Sequence, residues 1–270
     1  MNDSLRKLEQ HTYAVFYGES ANGNLATLHF SENKPTPSSL LEDEEQKFRA
    51  LATNGITNCI LWREDSCFSL ACFSPRGEIQ RCGHGALAAA AHLQQCGLLD
   101  SIEILSTKNG SFSIHKQGSC FWFSSKTNID ISHLELSYAS DIVSTNVLET
   151  AGSMGKDGYL ILRLQDDTNL TVIQPNLELL EQTTNRALIV TSAQTTDPDI
   201  DYQIRYFAPQ YGVKEDSATG SANEVAAHFW RKRLNKVEMR CYQASNAGGQ
   251  IYIKNDGSGL WIGGQVKPLD

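Results

Sequence analysis

Long apolar runs are missing from this chain. Nothing in its 270 residues approaches the ~20 consecutive apolar positions of a membrane-spanning helix, and the opening MNDSLRKLEQ lacks the apolar core of a secretion signal. Basic excess is missing too. Lys and Arg number 23 against 31 Asp and Glu, a formal net charge of −8, which argues against nucleic acid or an anionic membrane surface as the partner. CxxC pairs are absent: the seven cysteines, at 59, 67, 72, 82, 96, 120 and 241, are odd in number and scattered. Reduced thiols are therefore expected rather than a disulfide framework. Cys82 and His84 make two potential ligands with no further pair nearby, short of the four that structural zinc takes, so no metal is expected. A GxGxxG fingerprint is also lacking, and Gly257 to Gly264 reads as hairpin and turn. What remains is a soluble, cytoplasmic globular protein, large enough for one big domain or two of about 130 residues.

The informative stretch is Phe207 to Trp230, FAPQYGVKEDSATGSANEVAAHFW. An extended run ends in Glu215 and Asp216, a small-residue turn follows from Ser217 to Ser221, and Ala222 to Trp230 has the composition of a helix. Such a junction aims unpaired backbone N–H groups and the positive end of a helix dipole at whatever lies in front of it. Asp216 beside it reads as a proton carrier, or as an acid that merely favours the dipole.

Phe73 to Gly97, FSPRGEIQRCGHGALAAAAHLQQCG, has the same design: Phe-x-Pro, an extended run, a small-residue turn at Cys82–Gly85 and an alanine-rich helix ending at Gly97. His84–Gly85 falls on Thr219–Gly220, and Ile102–Glu103–Ile104 on Val237–Glu238–Met239, both at a displacement of 135. Phe112–Ile114 then matches Ile251–Ile253, and Phe121–Trp122 matches Leu260–Trp261, after a small insertion. The recurrence reads as a duplicated domain. Its halves are residues 1–128 and 129–270, with the last few residues free to pack back on the first. Strands are expected at Tyr13–Phe16, Leu25–Phe30, Asn58–Trp62 and Cys67–Phe73, a loop at Ser31–Ser39 and a surface helix at Leu40–Ala52. The fold class is α+β: two pseudo-symmetric halves, each a curved, mostly antiparallel sheet around a central helix.

At these residues the sequence resembles the PhzF-like family of phenazine biosynthesis, a branch of the diaminopimelate-epimerase-like fold. Cys82-Gly83-His84 and Glu215-Asp216-Ser217-Ala218-Thr219-Gly220-Ser221-Ala222 carry the resemblance, with weaker support from Gly23-Asn24 and Gly263-Gly264. It implies an isomerase without cofactor, with one active site between the halves, that moves a proton on a small carboxylic acid by double-bond isomerisation or epimerisation. A homodimer is the assembly it implies. The family's histidine and aspartate fall on His84 and Asp216, and its helix-turn residues on Gly83, Gly220 and Ser221. The wider fold's epimerases use two cysteines, one at each helix start; here those positions read as Cys82 and Ser217, which disfavours a two-thiol racemase.

One departure stands out. Where the family carries a glutamate, in a segment resembling Ser-Glu-Thr-Ala-Phe, this chain has Thr57-Asn58-Cys59-Ile60-Leu61. An amide can orient a carboxylate or enol oxygen but takes up no proton at neutral pH. The family's early aspartate is likewise replaced, by Ala14-Val15-Phe16.

The expected catalytic pair is thus Asp216 and His84, in either order as donor and acceptor. Asn58, Ser221 and the backbone of Gly83, Gly85 and Gly220 are the expected anchors of the substrate carboxylate. His92 and His228 read as structural, and Glu215 as structural support for its neighbour. Two functions remain open: an isomerase of small carboxylates, or a member that has lost its chemistry at Asn58 and serves as a small-carboxylate binding or interaction protein.

Overall fold

The computed structural model describes residues 9–31, 56–64, 67–74, 77–100, 103–125, 129–153, 155–166, 168–193, 197–257 and 259–269. The expected helix at Leu40–Ala52 lies outside them, as does nearly all of the loop at Ser31–Ser39. By its internal contacts the chain divides into two units. The first comprises Met1–Tyr17, Asn24–Ser124 and Gly263–Asp270, the second Gly18–Gly23 and Ser125–Ile262.

In the first unit the strands are β1 (Glu9–Tyr17), β2 (Asn24–Ser31), β3 (Thr57–Glu64), β4 (Cys67–Ser74), the short β5 (Gly77–Ile79), β6 (Glu103–Thr107), β7 (Gly110–Gln117) and β8 (Cys120–Ser124). The last strand of the chain, β16 (Leu260–Pro268), lies between β8 and β1, so the ring β1-β2-β3-β4-β6-β7-β8-β16 closes on itself. Inside it runs α1 (Gly83–Gln95), every residue of which is buried from Gly83 to Leu93. Alanine at 86 and 88–91 makes this possible, because a helix surrounded by sheet has no room for long side chains at native packing density. Gly97, at φ +68°, ends the helical segment. Phe16 sits at φ 62° where the register of β1 against β16 shifts. A Cβ on Gly264 would lie 2.5 Å from the Phe16 ring, and one on Gly263 would meet Trp122 at 2.5 Å. The Gly-Gly pair is therefore what lets β16 pass against these two rings.

The second unit contains β9 (Ile131–His133), α2 (Ala139–Val143), β10 (Glu149–Ser153), β11 (Tyr159–Arg163), α3 (Leu177–Thr183), β12 (Ala187–Ala193), β13 (Tyr202–Phe207), α4 (Gly220–Leu234), β14 (Glu238–Gln243) and β15 (Gly249–Asn255). Strand order is β9-β10-β11-β12-β13-β14-β15-β16. Pairing directions repeat those of the first unit. β1–β2, β3–β4 and β6–β7 are antiparallel, and β2–β3 and β4–β6 parallel. β10–β11, β12–β13 and β14–β15 are likewise antiparallel, and β11–β12 and β13–β14 parallel. In each unit the central helix is the crossover between the second parallel pair, so the duplication is visible in topology as well as in sequence.

Strands β11 and β12 are buried on both faces, which is why they read as continuous apolar runs. Leu160, Leu162, Leu188 and Val190 form one core with Ile142, Val143 and Leu180 from the short helices. On α4, Trp230 stacks on Tyr202 at 5.7 Å and donates Nε1–H to Thr191 Oγ1 (2.9 Å). Trp122 and Trp261 are both buried, as their matching positions in the repeat suggest. Among the described residues no helix is long and apolar enough to cross a membrane.

Candidate active site

In the first unit the expected residues gather at the start of α1. Cys82, in extended conformation (φ −114°, ψ 97°), is the N-cap, and its Sγ accepts from the Gly85 amide at 3.4 Å. His84 lies in the first turn, buried, with Nδ1 3.5 Å from Cys82 Sγ. Hydrogen bonds from the Cys59 and Cys72 thiols, and then the nearby His84, pull the Cys82 thiol below its ordinary range against the opposing effect of burial. Gly83 opens the helix, and α-helix geometry leaves its amide and that of His84 without an intrahelical acceptor. Gly85 also matters for packing. A Cβ there would lie 2.5 Å from Cys72 Sγ, 2.9 Å from Cys59 Sγ and 3.1 Å from Cys82 Sγ. Gly85→Ala should therefore cost roughly 1–3 kcal/mol of stability through overpacking, measurable by urea unfolding.

Asn58 sits on β3, buried, with Nδ2 donating to the Ile56 carbonyl at 3.3 Å. Its Oδ1 lies 3.4 Å from Nε2 of His29 on β2. An amide oxygen only accepts, so this contact puts the ring proton on Nε2. His29 was not among the expected residues, because a lone histidine in an apolar strand carries no pattern; the parallel β2–β3 register is what brings it to Asn58. Burial holds His29 below its ordinary value of 6.5, with the Asn58 bond opposing the shift. His92, packed near Tyr13, His11 and Phe30, is lowered by burial as well. Unfolded rings take up protons near 6.5 while these two resist, so the two histidines should make stability fall as pH drops from about 7 towards 5. Above that window they add no pH dependence. The urea midpoint followed against pH checks this, with His29→Leu expected to flatten the slope.

In the second unit the expected residues gather at the start of α4. Here the N-cap is Thr219 (φ −117°, ψ 111°). Matched by their caps, Cys82 corresponds to Thr219, a displacement of 137 rather than 135. The residue opposite Cys82 in the repeat is thus Thr219, not Ser217. From the cap to the following strand the second copy is shorter by two residues (Cys82 to Glu103 against Thr219 to Glu238), so a displacement read from those strands misplaces the caps by two. Neither position supplies a second thiol.

Asp216 is half-buried. Thr219 Oγ1 donates to its Oδ2 at 2.5 Å, and its own amide donates to the Tyr206 carbonyl. Gln243 on β14 ties the junction together. Its Nε2 donates to the Asp216 carbonyl (2.8 Å) while its Oε1 accepts from the Thr219 amide (2.9 Å) and Asn223 Nδ2 (3.2 Å). Gly220 and Ser221 open the helix, where amides lack intrahelical acceptors. The Ser221 side chain is hydrogen-bonded to the Tyr159 hydroxyl, whose pKa burial pushes up to about 12, so it stays protonated. Glu215 forms a two-pronged ion pair with buried Arg205: Nε to Oε1 at 2.7 Å and Nη2 to Oε2 at 2.9 Å. Arg205 also donates to the Leu170 and Ile173 carbonyls. Gln243, Tyr159 and Arg205 lie outside the motif, and nothing local in the sequence points to them.

A cavity of about 510 Å³ lies along the later turns of α4, lined among others by His133, Glu149, His228, Arg231 and Lys232. None of the expected site residues borders it. Among the described residues no group of three or more His, Cys, Asp or Glu is arranged to hold a metal ion.

Comparison with known proteins bears on this geometry. The family model described as phenazine biosynthesis-like protein matches residues 13–260. A protein of Halalkalibacterium halodurans named as an uncharacterized isomerase is 30% identical over 202 residues, 74% of this chain and 75% of its own length. The crystal structure of a PhzF-family protein from Enterococcus faecalis superposes with a TM-score of 0.82 at 22% identity, covering 97% of each chain. That of a predicted epimerase from Pseudomonas aeruginosa gives 0.71 at 16%, covering 98% of each. These structural likenesses establish the fold: the PhzF and epimerase-like architecture.

Proposed function

The chain belongs to the phenazine biosynthesis-like protein family, and from that premise we propose that it is a cofactor-free isomerase moving a proton on a small carboxylic acid, by shifting a double bond or inverting a carbon. His84 and Asp216 exchange the proton in this reading, one removing it and the other returning it. The amides of Gly83 and Gly220 and the hydroxyl of Ser221 hold the carboxylate; the Gly85 amide, expected to join them, is taken by Cys82 Sγ. Asn58 orients a substrate oxygen.

The observation that carries the reading is the built state of the Asp216 junction. A carboxylate kept only for the helix dipole needs no further support, yet this one is bonded by Thr219 and anchored through Gln243. Such support fixes a reacting group in position. His84, an imidazole with two ring nitrogens able to carry or accept a proton and set beside the Cys82 sulfur, is suited to the other half of the transfer.

Solvent deuterium incorporation into a panel of unsaturated and amino carboxylates tests the proposal. Incorporation into at least one ligand that binds is expected; none from any binder overturns it. A second reading is favoured by Asn58, whose amide is engaged with His29 and the Ile56 carbonyl: a protein that binds small carboxylates without turning them over. Asn58→Glu separates the two. A binding protein that has lost only this group should gain exchange, whereas an isomerase adapted to Asn58 should lose it. The proposed homodimer is checked by light scattering.

A further inference from the structure

Three thiols meet at one point in the first unit. Cys59 and Cys72 are directly opposed residues of antiparallel β3 and β4, with their sulfurs 2.8 Å apart. Cys82, the N-cap of α1, brings a third sulfur to the same spot, since one atom added to Gly85 would touch all three. Two ligands of a tetrahedral zinc ion, each bonded at about 2.3 Å, sit ~3.8 Å apart, so the Cys59–Cys72 spacing is too close for shared metal ligation. It suits a covalent link instead. Opposed residues in an antiparallel pair have Cα atoms about 4.5–5.5 Å apart, inside the range a disulfide spans.

We propose that Cys82, Cys59 and Cys72 form a peroxide-oxidised relay in which Cys82 takes the oxidant and a Cys59–Cys72 disulfide is the product. Of the three, Cys82 retains the most exposure, 5% against 0% and 2%. It also has the histidine neighbour and the lowered pKa that mark a reactive thiolate, while burial raises the other two thiols.

In the first step the Cys82 thiolate attacks hydrogen peroxide. The O–O bond breaks, an S–O bond forms, and hydroxide leaves to give Cys82 sulfenic acid. A Cys59 or Cys72 thiol then attacks that sulfur, forming a disulfide to Cys82 and releasing water. The remaining thiol displaces Cys82, its proton neutralises the hydroxide, and the Cys59–Cys72 bond results. Two thiols and one peroxide become one disulfide and two waters. Cys82 is the preferred leaving group in the last step because the thiol of lowest pKa leaves fastest. The relay returns Cys82 to the cap of α1 before further peroxide carries it to the irreversible sulfinic acid.

The test needs no substrate, so it stands or falls apart from the isomerase reading. Reduced full-length protein is treated with equimolar hydrogen peroxide, then denatured, alkylated and digested for mass spectrometry. A linked Cys59–Cys72 peptide is expected, with Cys82 alkylated, and dithiothreitol should restore both thiols. With dimedone present during oxidation, wild-type protein should carry the adduct on Cys82. Cys82→Ser should slow formation of the link by about tenfold or more. If Cys59 and Cys72 remain alkylatable while exposed Cys96 takes the oxidation, the proposal is overturned. It is equally overturned by a dimedone adduct missing from Cys82, or by an unchanged rate in Cys82→Ser. Should that variant fail to fold, the wild-type dimedone result decides.

Discussion

Asp216→Asn should lower solvent-deuterium exchange by about 10²–10⁴-fold, the usual contribution of a positioned acid–base group. The substitution keeps shape and leaves an oxygen to accept from Thr219 Oγ1, so the helix start should survive and the loss would report the missing proton site. His84→Gln should give a loss of similar size, since it replaces a proton-carrying imidazole with an amide that takes up no proton. Acting in sequence on one proton, the two should not add: the double variant is expected to sit close to the worse single one. Circular dichroism and the urea midpoint must stay near wild type for the comparison to count. Exchange that persisted in both variants would remove these residues from the chemistry while leaving the family assignment intact.

Glu215→Ala should destabilise the protein by roughly 3–5 kcal/mol, the usual result of stripping one partner from a buried ion pair. Arg205 has a side chain only 7% exposed, and Glu215 meets two of its nitrogens. Its Nη1 remains tied to the Leu170 and Ile173 carbonyls, so the guanidinium cannot swing out to water without breaking those bonds. Urea unfolding measures the effect. Arg205→Met combined with Glu215→Gln should recover part of the loss, because no unpaired charge is then left inside. A Glu215→Ala change below about 1 kcal/mol, typical of exposed pairs, would show that the pair is solvated in solution. The residue before Asp216 thus clamps the end of the junction to β13.

Much of this architecture was legible in the chain. The two Phe-x-Pro, small-turn, helix segments announced a duplication, and alanines 86 and 88–91 announced a helix enclosed by other elements. Both helices appear, α4 continuing four residues beyond Trp230 to Leu234 before Asn235 closes it in left-handed conformation. The stretch from 129 to 186, with its two short helices and the strands between them, was not parsed. Its helices of five and seven residues are too short to show a helical period, and their apolar positions matter only against β11 and β12. The two-residue offset of the caps has another cause: a constant displacement cannot follow a change of length between the cap and the next strand, whereas cap geometry can.

Family, duplication and the kinds of residue at each helix start can be read along the chain, because these depend on local order. Cys82-Gly83-His84 and Glu215 to Ala222 must be contiguous to build an N-terminal turn with a reactive group beside it. What surrounds them is set by the folded chain. His29 reaches Asn58 across a parallel strand pair, Gln243 binds the Asp216 junction from β14, and Arg205 holds Glu215 from β13. Cys59, Cys72 and Cys82 converge on Gly85 from two strands and a helix cap. Such contacts follow from strand register and burial, which bring together residues whose spacing in the chain has no period to read.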